Sequence, residues 1–342
     1  MQCARLDHFL KIEPGNKPLF RCCHMIDPPR FDSLNEIENS TWLKSVKDRF
    51  ANNEWPTECT RCKESEDAGL ESVRMIDNKN HLALKTIKED YLKVDVVVNT
   101  ICNAACPICS EEVSSKIAKL KGLPTNSFDG LKFLDELPLE RIIQLDVLGG
   151  EPGSSKRTKK LLGELDKFHN LQTVHLSTNG LAKIPEVKKI LETNRKVDLV
   201  ISMDGVESVF EYCRFPIKWK KFEENLQHYR SLQKNYSNLS LLLWCSISAL
   251  CVGNIPKMLQ FSRDIGIPLN GAPIFYPREL WISNKNFLTL PAKELLLNDN
   301  NEFSKNIARL IATEEKDNSE ELASFLSKSD KIRNIDYKDY II

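Results

Sequence analysis

The sequence predicts an α/β fold built on a parallel sheet, in the form of a partial (β/α)6 barrel. Six short apolar segments, rich in Val, Ile and Leu, are typical of buried parallel strands. A stretch of helical character follows each of the first five segments, and such alternation indicates βαβ units. Six units fit a partial barrel better than an open sheet with helices on both faces. The predicted strands are residues 93–99, 141–148, 171–177, 196–203, 239–250 and 268–276.

Length and charge narrow the class of protein. The chain has 342 residues, enough for about two domains or for one large barrel with an appendage. Lys+Arg and Asp+Glu both number 48, so the net charge is zero, and we expect no nucleic-acid partner because such proteins usually carry a basic excess. The longest apolar stretch, 239–252, is interrupted by serines and falls short of the roughly 20 residues that cross a bilayer. No secretory pattern opens the sequence, so we expect no membrane partner and a cytoplasmic location.

Three regions are expected along the chain. Residues 1–90 form a cysteine-rich N-terminal domain, irregular apart from one helix near residues 40–52. Residues 91–290 form the barrel. Residues 291–342 are polar and charge-rich, which predicts one or two surface helices and a loosely held tail.

The cysteines are unevenly distributed. There are eleven, and clustered cysteines in a reducing compartment indicate metal binding or catalysis. Cys102, Cys106 and Cys109 form a CxxxCxxC sequence directly after the first barrel strand. Three thiolates on one loop suit an iron–sulfur cluster that keeps one iron open for a ligand. A zinc knuckle that takes a ligand from elsewhere, or chance spacing, is the alternative.

Short polar segments end the next three predicted strands. They are the tetrapeptides 149–152 (GGEP), 177–180 (STNG) and 202–205 (SMDG). Ligands bind at the carboxyl ends of strands in such folds, and paired glycines let the backbone approach a ligand closely. Glu151 can accept a hydrogen bond from an ammonium group, while Asn179 and Ser202 suit a carboxylate or a ribose. Arg214 could clamp a carboxylate. A carboxylate at a helix N-terminus and a surface salt bridge are the respective alternatives for Glu151 and Arg214.

Together, the cysteine loop and these segments resemble the radical S-adenosylmethionine (SAM) superfamily over roughly residues 93–290. The resemblance implies a partial (β/α)6 radical SAM barrel, with Cys102, Cys106 and Cys109 as the catalytic ligands of a [4Fe–4S] cluster. It also implies an external electron donor of flavodoxin or ferredoxin type. One departure is Ile108, where many members carry an aromatic residue. The positions that match the SAM site are Gly149, Gly150, Glu151, Pro152, Ser177, Asn179, Ser202, Asp204 and Arg214.

A second cysteine set lies in the N-terminal region. It consists of Cys3, Cys22, Cys23, Cys59 and Cys62, followed by Glu66, Gly69, Ser72 and Arg74. This order resembles the N-terminal cluster domain of a subgroup of the same superfamily, related to the twitch and SPASM domains that usually follow the barrel. The resemblance implies a second, auxiliary [4Fe–4S] cluster. A structural zinc ion is the alternative, and the sequence leaves open whether Cys22 or Cys23 is a ligand.

The resemblance implies an enzyme of oxidoreductase or transferase type that cleaves SAM and abstracts hydrogen from a substrate through a 5′-deoxyadenosyl radical. Auxiliary clusters often accompany peptide modification, so a peptide or peptide-like substrate is the first expectation and a small metabolite the second. A non-catalytic protein that binds zinc or iron–sulfur clusters is the alternative from another class. The three remaining cysteines are expected to be buried small hydrophobes. They are Cys213, Cys245 and Cys251.

Overall fold

The computed structural model of the chain describes residues 1–69, 71–274, 276–314 and 316–341. Within them, eight strands form one sheet in the order β2-β1-β3-β4-β5-β6-β7-β8. The strands are β1 (Phe9–Ile12), β2 (Leu19–Phe20), β3 (Leu92–Val97), β4 (Ile142–Leu148), β5 (Thr173–Thr178), β6 (Lys196–Ser202), β7 (Leu239–Ile247) and β8 (Leu269–Pro273).

The predicted α/β fold is confirmed. Strands β3 to β8 lie side by side in chain order, and each pairs in parallel with the next. Along β3, Leu92, Val94 and Val96 are buried, whereas the residues between them are partly exposed. The sheet therefore has one apolar face that packs on the core and one mixed, more polar face.

Helices lie before, between and after the strands. They are α1 (Arg5–His8), α2 (Leu34–Glu38), α3 (Thr41–Ala51), α4 (Thr60–Asp67), α5 (Val73–Ile87), α6 (Ser115–Leu120), α7 (Gly130–Leu134), α8 (Lys156–Gly163), α9 (Glu186–Leu191), α10 (Glu207–Cys213), α11 (Trp219–Asn235), α12 (Ile255–Ile265), α13 (Thr289–Leu297), α14 (Glu302–Leu310) and α15 (Ser319–Arg333). No helix in the described part of the chain has the length and apolar character of a membrane span.

The N-terminal region is more regular than the sequence suggests. Strand β1 pairs in parallel with β3, so this region extends the same sheet. The predicted helix near residues 40–52 is confirmed as α3, and the side chain of Ser40 caps it by accepting a hydrogen bond from the amide of Leu43. Helix α5 is an element that the sequence does not predict. The proposed region boundaries near residues 90 and 290 remain predictions.

The C-terminal extension is also better held than expected. Helix α15 buries Leu322 and Leu326 together with Asp330 and Arg333. Near the end of the described chain, the backbone oxygen of Tyr340 accepts a hydrogen bond from Ser208 at 2.9 Å. The expectation of a loosely held tail is therefore wrong for this part of the chain, because hydrogen bonds of Asp330 and Arg333 with Tyr212 attach it to α10.

Candidate functional site

The cysteine loop begins where β3 ends and is joined to the end of β4 by backbone hydrogen bonds. The amide of Gly150 donates to the carbonyl of Asn99 at 2.9 Å, and the amide of Glu151 donates to the carbonyl of Ile101 at 2.8 Å. Parallel strands bring their carboxyl ends to the same edge of a sheet. The start of the cysteine loop is therefore fixed directly beside the first predicted SAM-binding segment.

The two glycines are required by this contact. A Cβ atom at Gly149 would lie 2.3 Å from the carbonyl oxygen of Asn99, and one at Gly150 would lie 2.0 Å from that of Ile101. Gly149 also has a φ of +127°, a conformation that side chains rarely adopt. The sequence pattern suggested that these glycines allow close approach of a ligand. What the structure shows is close approach of two strand ends.

Two further segments hold the cysteine loop. The side-chain amide of Asn179, after β5, donates to the side-chain oxygen of Asn103 at 2.7 Å. The amide of Ala105 donates to the carbonyl of Phe215, which follows α10, at 2.7 Å. Three segments that are distant in sequence thus meet at the loop, and Asn103 and Phe215 are members of this site that the sequence did not indicate.

Glu151 is buried at the centre of these strand ends. Its carboxylate accepts hydrogen bonds from Thr178 Oγ1 at 2.7 Å, from the amide of Asn179 at 2.7 Å and from the amide of Gly153 at 3.1 Å. Burial raises the pKa of Glu151 above its usual range, and these donors oppose the rise. A carboxylate has about four acceptor positions, so about one remains for a ligand. The predicted contact with an ammonium group remains a prediction.

The three thiols of the loop differ in their surroundings. Cys106 is buried, Cys102 is partly buried and Cys109 is exposed. The thiol of Cys109 and the guanidinium of Arg214 lower the pKa of Cys106 to about 7. The Cys106 thiol in turn raises the pKa of Cys109. Burial raises the pKa of Cys102 to about 11.

Arg214 and Asp204 form a buried ion pair beside this loop. Arg214 Nη2 lies 2.6 Å from Asp204 Oδ2, and Arg214 Nη1 lies 3.9 Å from Cys106 Sγ. The alternative of a surface salt bridge is wrong, since both side chains are more than nine-tenths buried. As placed, the guanidinium contacts a protein carboxylate and a sulfur atom. Its role as a clamp for a ligand carboxylate remains a prediction.

The remaining predicted SAM-site residues also lie at this edge. Ser177 and Ser202 lie at the carboxyl ends of β5 and β6, where both are partly exposed on the more polar face. Pro152 is buried and begins a short 3-10 turn. The two serine side chains are thus available to a ligand bound over the strand ends.

A cavity opens next to these strand ends. Its volume is about 550 Å³, and its lining includes Val97, Thr100 and Gly149. The turn after β1, residues 13–15, and residues 112–113 form other parts of its lining. This volume falls within the range of roughly 300–1,000 Å³ that is usual for small-molecule sites. The N-terminal region therefore borders a space beside the predicted SAM segment.

The chemistry of the loop fits an iron–sulfur cluster. Three thiols lie on one short loop, their titrations influence one another, and a buried cation stands beside the most buried of them. Among the described residues, no group of three or more His, Cys, Asp or Glu side chains is arranged to hold a single metal ion. A four-iron cluster differs from a single ion in that each thiolate binds a different iron.

Four N-terminal cysteines surround one small cavity. They are Cys3, Cys22, Cys59 and Cys62. Burial raises the pKa of Cys3 to about 12 and that of Cys22 to about 11, so a metal would have to displace protons on binding. Cys23 is exposed and accepts a hydrogen bond from Arg5 at 3.5 Å. The structure therefore brings together Cys22, and not Cys23, with the other three thiols.

The residues after the CxxC form a clamp around this cavity. Glu66 accepts hydrogen bonds from Arg74 Nε at 2.9 Å and from Ser72 Oγ at 2.5 Å. Arg74 Nη1 also donates to the carbonyl of Gln2 at 2.7 Å, next to Cys3. Gly69 has a φ of +72° and ends α4. The clamp ties the helix that carries Cys62 to the segment that carries Cys3.

The other three cysteines are buried, as predicted. Cys245 Sγ and Cys251 Sγ lie 3.7 Å apart. Cys213 is buried beside Arg214, and burial raises its pKa well above the usual range. Protonated thiols in such surroundings behave as small apolar groups.

Comparisons with known proteins find structural similarity only. No protein-family model and no curated protein matches the sequence. Streptococcus suis SuiB bound to the precursor peptide SuiA has a TM-score of 0.40 and 13% identity, and the match covers 69% of this chain and 53% of that one. For anSMEcpe with bound AdoMet the TM-score is 0.40, the identity is 17%, and the coverage is 54% and 50%. A second structure of anSMEcpe, with AdoMet and the Cp18Cys peptide, has a TM-score of 0.38 and 16% identity, with coverage of 59% and 57%.

In these comparisons the chain spans about half the length of the solved structures that it matches. At such scores the similarity carries no argument about this chain. The resemblance to the radical SAM superfamily therefore depends on the cysteine loop, on the three strand-end segments and on the way in which the fold assembles them.

Proposed function

We propose that the chain is a radical SAM enzyme whose catalytic cluster is held by Cys102, Cys106 and Cys109. The observation that carries this proposal is the junction at the cysteine loop. Separate hydrogen bonds attach the loop to Gly150 and to Asn179, both in segments that match the SAM motifs. If the CxxxCxxC spacing had arisen by chance, there would be no reason to expect the loop to contact both of these segments.

When bound, the cluster would supply one electron to SAM, and the resulting 5′-deoxyadenosyl radical would abstract hydrogen from the substrate. The chain's own residues hold and orient these groups. The loop supplies three thiolates, while the ends of β4, β5 and β6 supply backbone amides, hydroxyls and the Asn179 amide. Because Glu151 and Thr178 are buried, they would keep these strand ends in place with little access for water.

A peptide or peptide-like molecule is the substrate we propose, with a small metabolite as the alternative. The preference for a peptide depends on the N-terminal cysteines, which resemble an auxiliary-cluster domain. We propose Cys3, Cys22, Cys59 and Cys62 as the ligands of that cluster, since these four share one cavity. The cavity of about 550 Å³ beside Gly149 has room for one side chain of a peptide, and equally for a small molecule.

Anaerobic reconstitution with iron and sulfide tests the proposal. With dithionite and SAM, the reconstituted protein should form 5′-deoxyadenosine, which is measured by chromatography and mass spectrometry. Replacing any one of Cys102, Cys106 or Cys109 by Ala should remove about four irons and all of this product. Cys23→Ala is the matched control, because Cys23 is exposed and lies outside both proposed ligand sets.

Two results would contradict the proposal. The first is full SAM cleavage by any of the three loop variants. The second is an absence of 5′-deoxyadenosine from wild-type protein whose cluster has been reduced, as seen by electron paramagnetic resonance. The second outcome would favour the non-catalytic protein that binds zinc or iron–sulfur clusters.

A further inference from the structure

The buried ion pair of Asp204 and Arg214 stands directly against the proposed cluster ligand Cys106. Asp204 is 2% exposed, Arg214 is 8% exposed and Cys106 is 4% exposed. The guanidinium lies between the carboxylate at 2.6 Å and the sulfur at 3.9 Å. Charges act strongly on one another in such surroundings because little water screens them.

The position of the pair is fixed by the backbone. Asp204 Oδ1 accepts a hydrogen bond from the amide of Ser246 at 2.8 Å, which attaches it to β7. Arg214 caps the C-terminal end of α10, and its amide donates to the carbonyl of Phe210 at 2.8 Å. Arg214 Nε is buried and has no partner among the described residues. The guanidinium is thus held in place at its Nη atoms, by the carboxylate and by the sulfur.

We propose that the two charges of this pair act in opposite directions on the reduction potential of the cluster at Cys106. The inference depends on the proposed function and assigns Asp204 and Arg214 a tuning role in it. Reduction adds one electron from an external low-potential donor, with no proton and no change in covalent bonds. The guanidinium favours the more negative, reduced cluster both by its charge and by an N–H donated to the thiolate sulfur. The carboxylate opposes reduction.

Because Asp204 and Arg214 carry opposite charges, removing each charge should shift the reduction potential in the opposite direction. A purely structural role would not produce two opposite shifts. Asp204→Asn removes the negative charge and should raise the reduction potential. Adding Arg214→Gln in the Asp204→Asn protein then removes the positive charge and should lower the potential again. The double variant is preferred to Arg214→Gln alone, since that single change would leave a buried, unpaired carboxylate that could bind a proton.

Each step should change the equilibrium constant for one-electron reduction at least tenfold, which corresponds to about 59 mV. The potential is measured by dye-mediated redox titration of the reconstituted protein, followed by electron paramagnetic resonance. Asp198→Asn is the matched control. It removes the same charge from β6 six residues earlier, which is roughly 20 Å away at about 3.3 Å per residue, and it should leave the potential unchanged.

The proposal is overturned if the two steps move the potential in the same direction, or if neither moves it beyond the control. If Asp204→Asn protein cannot hold a cluster, Asp204→Ser is compared with Asp204→Ser plus Arg214→Gln, because both variants lack the carboxylate and only the first keeps the cation. Equal potentials in those two variants would also overturn the proposal. Failure of the proposed function looks different, because the wild-type protein would then assemble no reducible cluster or would not cleave SAM.

Discussion

Asp146 lies in the middle of β4, directly opposite Asp95 on the neighbouring strand β3. Gln144 Nε2 donates a hydrogen bond to Asp146 at 2.8 Å, whereas Asp95 has a cation, Lys11, at 3.4 Å. His175 lies opposite Asp146 on the other side, on β5. Burial and the negative charge of Asp95 raise the pKa of Asp146 to about 7.

This raised pKa makes stability depend on pH. Between about pH 4, the ordinary range of a carboxyl group, and its folded-state pKa of about 7, the folded chain binds more protons than the unfolded chain. Stability should therefore fall as the pH rises through this interval. Asp146→Asn removes the effect, so the variant should be more stable than the wild-type protein at pH 8, and this advantage should shrink as the pH falls and disappear near about pH 4.

Urea unfolding at a series of pH values measures the difference. The advantage of the variant should grow by roughly 1.4 kcal/mol for each pH unit between the unfolded-state and folded-state pKa values of Asp146. Asp198→Asn is the control, since Asp198 is paired with Lys196 at 2.9 Å and lies in the same polar row of the sheet. A stability difference for Asp146→Asn that is the same at pH 5 and pH 8 would contradict the prediction.

Single residues also show the limits of sequence reasoning at the site. The cysteine loop and the strand-end segments could be predicted because their residue types and spacing are contained in short stretches of sequence. The partners of that loop could not. Asn103 meets Asn179, and Ala105 meets Phe215, and neither pairing leaves a periodic or local pattern. Their contacts depend on the order of the strands in the sheet.

Among the secondary-structure elements, the strands β3 to β7 were predictable because each is an apolar run rich in branched residues. The observed strand ends differ from the predicted ones by up to three residues, because residue composition does not determine where hydrogen bonding between strands begins and ends. Helix α5 was missed for a physical reason. Its large apolar residues Met75, Ile76, Leu82 and Ile87 are exposed, and the one residue that it buries is Asp77.

In helix α15, charged residues that predict solvent exposure from the sequence are buried in the structure. Asp330 Oδ1 accepts a hydrogen bond from Tyr212 Oη at 2.8 Å, and Arg333 Nη1 donates to the carbonyl of Tyr212 at 2.9 Å. Arg333 and Asp330 also pair with each other at 2.7 Å. From the sequence alone, these charges indicated a solvated tail. In the structure they attach α15 to the helix that precedes Arg214.

Arg333→Met should therefore be costly. Removal of one partner from a buried ion pair typically costs roughly 3–5 kcal/mol, because the other charge stays buried without compensation. Urea unfolding of the reconstituted protein measures the loss. Arg309→Met is the matched control, because Arg309 also lies on a C-terminal helix but pairs with Glu302 where both side chains are about two-thirds exposed. Its effect should be at most about 1 kcal/mol, and equal effects of the two changes would refute the anchoring role.

On the scale of the whole molecule, the N-terminal region shares one core with strands β3 to β7. Leu10 and Ile12 of β1 are fully buried and belong to the same apolar cluster as Val94 and Val96 of β3. Helix α3 adds Leu43, Val46 and Phe50 to that cluster. Most of the N-terminal region therefore has apolar contacts that do not depend on a metal site.

One part of that region lacks such contacts. Helix α4 buries none of its residues, and it carries Cys62. Its attachments include the buried thiol of Cys59 in the turn that precedes it and the clamp between Glu66 and Arg74. If the proposed auxiliary cluster forms, its ligands would fix α4 through Cys62 and the turn before it through Cys59.

The effect of losing the auxiliary cluster should accordingly be local. In Cys59→Ala we expect about four fewer irons and a folded, soluble protein, because β1 and α3 keep their apolar contacts. Hydrogen exchange followed by mass spectrometry should show faster exchange in residues 57–69, with little change in residues 9–12 and 41–51, since local opening follows local contacts. Cys23→Ala is the control and should match the wild-type protein in both measurements. Global unfolding or insolubility of Cys59→Ala would instead show that the cluster is a staple for the entire N-terminal region, and that the shared core is too weak to hold the region without it.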